Sequence, residues 1–252
     1  MIDTHCHLYD QKLINNLDEI ITNAKNANIA KMICIGDSIK TSKQSIKISE
    51  QYKQIYASFG IHPHEAKKAS NLYLDTIKKN SSHAKVVAIG EIGLDYHYNF
   101  SEPKIQKLIF REQLELAKEL DLPVVVHCRD ADEDLYNVIL ESKHYKGVIH
   151  CFASDVNFAK KIIDLGYYIS FTGMITFVKN LESVIKEIDL KHILIETDSP
   201  YLAPVPYRGK TNQPAYVIQV AEKISNIKKI SVQEIDNTTT KNALLLFNKL
   251  SN

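Results

Sequence analysis

The feature that most constrains this chain is a repeat: short apolar runs separated by helical patterns. After a first run within the opening ten residues, others occupy positions 31–36, 55–60, 86–91, 123–127, 147–151, 167–171 and 192–197. Between them, apolar residues recur at helical spacing. Leu13, Leu17, Ile20, Ile21 and Ala24 form one stripe; Ile105, Leu108, Ile109, Leu116 and Leu120 form another, behind a Pro103 placed for a helix start. Leu181, Val184, Ile185 and Ile188 form a third. A further helix is expected over 71–81, and terminal helices from about position 212. The runs are too continuous for half-exposed strands and suit a parallel sheet buried on both faces. Eight such runs without a linker or a composition break predict an α/β fold, a (β/α)8 TIM barrel occupying residues 1–252 as a single domain. The competing fold, a doubly wound open sheet, calls for a glycine-rich phosphate loop after the first strand, where this chain has Leu8-Tyr9-Asp10.

Composition narrows the function. Lys and Arg number 31 against 30 Asp and Glu, so no global basic field exists to coat nucleic acid, although a local grip on a strand end remains open. No apolar run is long enough to span a membrane, and the chain enters its first strand at once, without the regions of a signal peptide. A cytoplasmic protein is expected, with no membrane partner. Cys6, Cys128 and Cys151 each adjoin a histidine on an apparent strand, so their thiols should face the opposite side, towards the helices. No Cys-x-x-Cys pair is present, which disfavours a thiolate zinc site or a disulfide framework.

In a barrel of this kind, functional residues come from the C-terminal ends of several strands. His5 and His7, two apart on one strand, put both imidazoles on one face. Later strand ends add Glu91, His127, His150 and Asp198. Four imidazoles and two carboxylates make the donor set of a two-metal hydrolytic centre, with Glu91 able to bridge the ions. Such a centre supplies a hydroxide near neutral pH and charge compensation for phosphoryl oxygens, and Asp198 could act as the general base beside it. Imidazole-rich coordination suits Zn, Mn, Ni or Co better than Mg.

Six motifs in order, Asp3-Thr-His-Cys-His7, Gly60-Ile-His-Pro-His64, Gly90-Glu-Ile-Gly-Leu-Asp-Tyr96, Pro123-Val-Val-Val-His-Cys-Arg129, His150-Cys-Phe152 and Glu196-Thr-Asp-Ser-Pro200, make the chain resemble the TatD-family metal-dependent deoxyribonucleases, a branch of the amidohydrolase-like barrels. The resemblance covers nearly the whole chain. It implies that His5, His7, Glu91 and Asp198 hold one divalent ion and Glu91, His127 and His150 a second. It also implies exonuclease hydrolysis of DNA from the 3′ end, and activity with Mg. Related barrels that bridge their metals with a modified lysine on strand four differ here, where the place is taken by Glu91.

Other residues carry further expectations. Asp3 and Glu196, one step deeper on the faces of His5 and Asp198, would orient imidazoles or form an in-barrel ion pair with a base such as Arg129. His62 is expected to touch the scissile phosphate, while His64 reads as a solvated turn and His83, His97, His144 and His192 as surface residues. Asp95 and Tyr96 would line the substrate groove or close the loop. After strand eight, Arg208 and Lys210 are candidate phosphate clamps. Here the chain departs from the family, which usually has an Arg and a Glu at the places of Thr211 and Gln213. Tyr9, Tyr201 and Tyr207 would stack on bases or pack the loops. The expected substrate is DNA, single-stranded or at frayed ends, with RNA possible, acted on by a monomer. Two alternatives stand beside it: the same centre hydrolysing esters or amides such as aminoacyl-tRNA, and a barrel that binds nucleic acid or a protein without catalysis.

Overall fold

In a computed structural model describing residues 1–98 and 100–251, the chain forms eight strands. They are β1 (Ile2–Cys6), β2 (Lys31–Cys34), β3 (Ile55–Phe59), β4 (Val86–Asp95), β5 (Val124–Arg129), β6 (Gly147–Ile149), β7 (Tyr168–Phe171) and β8 (Ile193–Ile195). Every neighbouring pair is parallel and the spatial order is the chain order, which is the (β/α)8 barrel and rules out the doubly wound sheet. The last seam, between β8 and β1, is closed beyond the end of β8. A bridge joins Cys6 to Ser199, Asp198 N–H donates to His5 O at 2.9 Å, and His7 N–H donates to Ser199 O at 2.7 Å. The barrel is therefore sewn shut by the same residues that carry site side chains.

Two apolar layers follow from strand alternation. Met32, Cys34, Ala57, Phe59, Ile89, Val124 and Val126 point out against helix residues such as Leu17, Ile77, Phe110, Leu114 and Val220. Ile33, Ile35, Val87, Val125, Val148 and Leu194 point in, where they meet Ala243, Leu246, Phe247 and Leu250 at the end of the chain. The terminal helix Val232–Leu246 and the turn after it thus form a floor under the barrel.

Strand ends differ from those expected, and the differences have local causes. β4 continues four residues past Glu91 because Gly93, at φ +135°, lets the strand lie against β5. A Cβ there would stand 2.0 Å from His127 O. β6 and β8 stop early, so His150 and Asp198 sit on the loops just past their strands, and His192 lies in the 3-10 turn Leu190–His192. Asp198 has φ +54°, a conformation Asp tolerates better than most residues. His144 is buried rather than at the surface: it follows Lys143 in the left-handed region, and its carbonyl accepts from Tyr167 Oη at 3.0 Å. The thiols of Cys6, Cys128 and Cys151 are free, and Cys6 packs in the outer layer as expected. Among the described residues, no helix is long and apolar enough to cross a membrane.

The floor predicts a stability effect separate from the mouth. Phe247→Ala should cost about 3–5 kcal/mol, as other buried Phe truncations do, read as a lower urea midpoint. Leu108→Ala, half exposed on the outer helix, should stay within about 0.5 kcal/mol.

Candidate metal centre

Glu91 is buried where β4 passes the barrel mouth, and its two oxygens face different neighbours. Oε2 lies 3.5 Å from His5 Nε2 and 4.0 Å from His7 Nε2. Oε1 lies 2.8 Å from His150 Nε2, 3.1 Å from His127 Nδ1 and 3.3 Å from His62 Nε2. Asp198 Oδ1 completes the first side at 3.3 Å from His7 Nε2 and 3.6 Å from His5 Nε2. His150 adjoins both sides, since its ring stacks on His5 at 4.0 Å between centroids. All six residues expected as ligands are thus brought together, and ligand atoms of His5, His7 and Glu91, of His5, His150 and Asp198, and of His62, Glu91 and His127 lie within 4.8 Å of one another.

The groups behind the rings of His7, His127 and His150 decide which nitrogen each turns towards the centre. His7 Nδ1 is 3.0 Å from Ile35 O, which can only accept, so Nδ1 carries the proton and Nε2 the lone pair. His127 Nε2 is 2.9 Å from Asp95 Oδ2, which leaves Nδ1 as its lone pair. His150 Nδ1 faces Glu196 Oε1 at 3.5 Å and turns Nε2 inward. Lone pairs of neutral imidazoles then point at carboxylate oxygens and, across 3.2 Å, from His7 towards His5. That arrangement repels itself unless a proton or a cation stands between, so the donor set fits divalent cations.

His62 differs. Its Nδ1 accepts from His64 N–H at 3.1 Å, so Nε2 carries the proton and donates towards Glu91 Oε1. Although close enough to ligate, the ring is therefore set as a donor, and burial pushes it down to about 4, against the pull of Glu91, keeping it neutral.

The remaining charges follow the same geometry. Burial pushes Glu91 up, but His150, His62 and His127 outweigh it and hold the carboxyl well below its usual range. Asp198 is likewise lowered, burial being outweighed by His7 and His5. Burial depresses His7 and His150, yet Asp198 and Glu91 raise His7 to about 9, while Glu91 and Glu196 take His150 well above its usual value. His5 goes down, through burial and the charge of His150. Without a cation, protons fill its place on some imidazoles and not on others.

The supporting residues match expectation unevenly. Glu196 lies behind His150 and also accepts from Cys151 N–H at 2.7 Å. Asp3 does not reach an imidazole ring. Its partners are the N–H and hydroxyl of Thr197, at 2.9 and 2.6 Å, and the N–H of His5. The cause is an extra residue in β1 between Asp3, paired with Met32, and Cys6, paired with Cys34, which breaks the alternation that put Asp3 behind His5. Burial raises Asp3 to about 8 despite those bonds. Arg129 forms no in-barrel pair either; it is exposed at the end of β5, with its guanidinium carbon 4.9 Å from the centre of the Tyr98 ring.

Asp95 is the residue sequence reasoning undervalued. Buried, it accepts from His127 Nε2 at 2.9 Å and lies 2.9 Å from His64 Nε2, and these two imidazoles outweigh burial and hold it below its usual range. His64 is accordingly tied into the site rather than solvated. The available signal was its spacing of four from Glu91, which on an extended strand means the same face.

Arg208 and Lys210 are exposed, but neither is free. The Arg208 guanidinium carbon lies 3.8 Å from the Phe177 ring centre and Nη1 donates to Ala203 O; Lys210 Nζ sits 5.9 Å from the Tyr207 ring centre. The loop is held without the family's Arg and Glu. Asn212, buried, donates to Thr197 O and Tyr201 O, Gln213 accepts from Asn23, and Tyr207 stacks on Tyr216 at 3.8 Å. Tyr9 hydrogen-bonds Asp37 and His7, so of the three candidate stacking tyrosines only Tyr201 keeps a largely open ring, beside His7.

The chain is similar to known proteins along nearly its whole length. The family described as TatD related DNase matches residues 2–248. A Bacillus subtilis (strain 168) protein named as the uncharacterized metal-dependent hydrolase YabD is 41% identical over 251 residues, 98% of both chains. YcfH of Escherichia coli (strain K12), named likewise, is 34% identical over 254 residues, 98% of this chain and 95% of its own. The crystal structure of YjjV, a TatD homologue from Escherichia coli K12, is similar with a TM-score of 0.94 and 30% identity, covering 98% of each chain. The chain belongs to the TatD related DNase family and is a metal-dependent hydrolase built on that family's barrel.

Proposed function

We propose that this hydrolase cleaves phosphodiester bonds of DNA, as an exonuclease working from the 3′ end of single strands or frayed ends, and that it acts as a monomer in the cytoplasm. The observation that carries a two-cation centre is Glu91, whose oxygens face two separate groups of imidazoles. His5, His7, Asp198 and Glu91 Oε2 would hold one ion; His127, His150 and Glu91 Oε1 the other. Two divalent ions supply an acidified water and neutralise charge developing on the phosphoryl oxygens.

The chain's own groups do the rest. Asp198, kept anionic by His7 and His5, takes the proton of the attacking water. His62, neutral with its Nε2–H directed inward, donates to a non-bridging phosphoryl oxygen. Asp95, Glu196 and the carbonyl of Ile35 fix the rings of His127, His150 and His7, so that no reorientation is needed when substrate arrives. The family description supports DNA as the substrate. A second reading, ester or amide hydrolysis on a substrate such as aminoacyl-tRNA, draws on the engaged postures of Arg208 and Lys210, which weaken the phosphate grip expected of that loop.

Chelator-stripped protein given Mg, Mn or Zn separately should shorten end-labelled single-stranded DNA from its 3′ end. Glu91→Ala should lose this activity by more than the roughly 10–100-fold that follows loss of a residue behind a ligand, with an unchanged circular dichroism spectrum. Metal uptake without DNA cleavage, alongside ester hydrolysis, would favour the second reading. Asp95→Asn should itself cost roughly 10–100-fold in metal affinity or activity; an unaltered metal titration would remove Asp95 from the site. Arg208→Ala should raise KM for DNA several-fold with little change in kcat, and a fall confined to kcat would place Arg208 in the transition state.

A further inference from the structure

The loop after β4 carries a group of rings for which the centre has no use. Tyr98 and Phe100 are 42% and 52% exposed. Their ring centroids are 5.6 Å apart with the planes 32° from parallel, a tilted pair. Phe100 lies 4.8 Å and Tyr98 5.5 Å from the ring of His64. His64 in turn lies 4.4 Å from His62, whose Nε2 is directed at Glu91. A continuous row of rings therefore leads out of the centre and ends in two aromatic side chains open to water.

Charge accompanies the row. The guanidinium of Arg129 lies over Tyr98 and has no carboxylate partner among the described residues. His97 sets its edge against the same ring and is paired with Asp130 at 3.1 Å. Two large rings left half in water, beside an unpaired cation and one imidazole away from the hydrolytic centre, suit a ligand with a flat π-face joined to an anion. Aromatic faces with an adjacent Arg are how single-stranded nucleic acid is held without regard to sequence, because every base has a π-face and every nucleotide a phosphate.

We infer that Phe100 and Tyr98 form a base-stacking subsite, with Arg129 facing the adjoining phosphate, for the nucleotide next to the bond being cleaved. The inference rests on the nuclease reading and adds to it the handle by which a strand is recognised. The position fits, since only the width of His64 separates the stacking face from the ring that contacts the phosphate, a gap a sugar bridges. It also accounts for a chain with almost no net charge that acts on a polyanion: the grip is made by faces and one cation, not by a basic field.

The test crosses a side chain with a base. Steady-state cleavage of a single-stranded oligonucleotide is compared with one that is abasic at the position beside the first scissile bond, using wild type, Phe100→Leu and Phe100→Trp. Phe100→Leu keeps apolar packing and loses the flat face, so kcat/KM on the intact strand should fall roughly 5- to 150-fold, mostly through KM, with metal content unaltered. Removing the base should cost wild type a similar factor and cost Phe100→Leu nothing further, while Phe100→Trp should behave as wild type. Equal losses from base removal in wild type and Phe100→Leu would overturn the subsite, as would a loss of bound metal in Phe100→Leu. If wild type cleaves no DNA, the nuclease reading fails and binding decides the subsite. Quenching of a 2-aminopurine oligonucleotide that disappears in Phe100→Leu would sustain the stacking face, and absence of quenching with wild type would overturn it.

Discussion

One buried carboxylate sets the terms for the rest of the molecule. Glu91 stands in the barrel mouth with imidazoles of His5, His7, His62, His127 and His150 around it and Asp198 close by. Groups of this kind are expensive to remove from water, and a buried charge is tolerated only when it is paired and oriented. The chain meets that demand by drawing the partners from different strand ends, so no single loop can distort the set alone. It also explains why the barrel is closed at its weakest seam by backbone bonds of His5, His7, Asp198 and Ser199. The seam and the site are one structure.

The same constraint explains the ring of acceptors behind the imidazoles. Ile35 O and Asp95 accept from the far nitrogens of His7 and His127, and Glu196 faces that of His150 at 3.5 Å, so each near nitrogen is turned towards the centre. His62 is wired the other way round by the N–H of His64. Histidines similar in sequence, and similar in distance from Glu91, therefore differ in chemistry because of one backbone hydrogen bond. Distance alone groups His62 with the ligands; its tautomer makes it a proton donor.

What could be read from the chain divides along physical lines. Apolar continuity revealed the eight strands, because parallel strands buried on both faces leave little room for polar residues. Period-two spacing joined His5 to His7, and the ends of successive runs supplied Glu91, His127, His150 and Asp198. Errors arose where the backbone departs from simple alternation. The extra residue in β1 turned Asp3 away from the imidazoles. The absence of a side chain at Gly93 carried β4 on to Asp95, and thereby made a loop residue into the partner of two histidines. Arg129, expected as an in-barrel base, stands instead at the exposed end of β5, over the Tyr98 ring. Tautomers lay beyond sequence altogether, since they depend on partners such as Asp95 on β4 for His127 on β5.

The loop after β8 is held by uncharged groups. Where the family usually carries an Arg and a Glu, this chain has Thr211 and Gln213, and the hold passes to uncharged groups: the amide of Asn212, the contact from Asn23 to Gln213, and the flat stack of Tyr207 on Tyr216. An exposed ion pair of the usual kind contributes little and weakens with salt. A buried amide bonded to two carbonyls does neither, because leaving those groups unpaired would cost the full price of their desolvation. The loop is therefore held without charged side chains at positions 211 and 213. Arg208 is drawn onto Phe177 and Ala203 O. At the end of β5 Arg129 lies over Tyr98. Both guanidinium groups rest on aromatic faces rather than on carboxylates, so the charge of each is left unneutralised, while part of the Arg208 donor fork is taken up by Ala203 O.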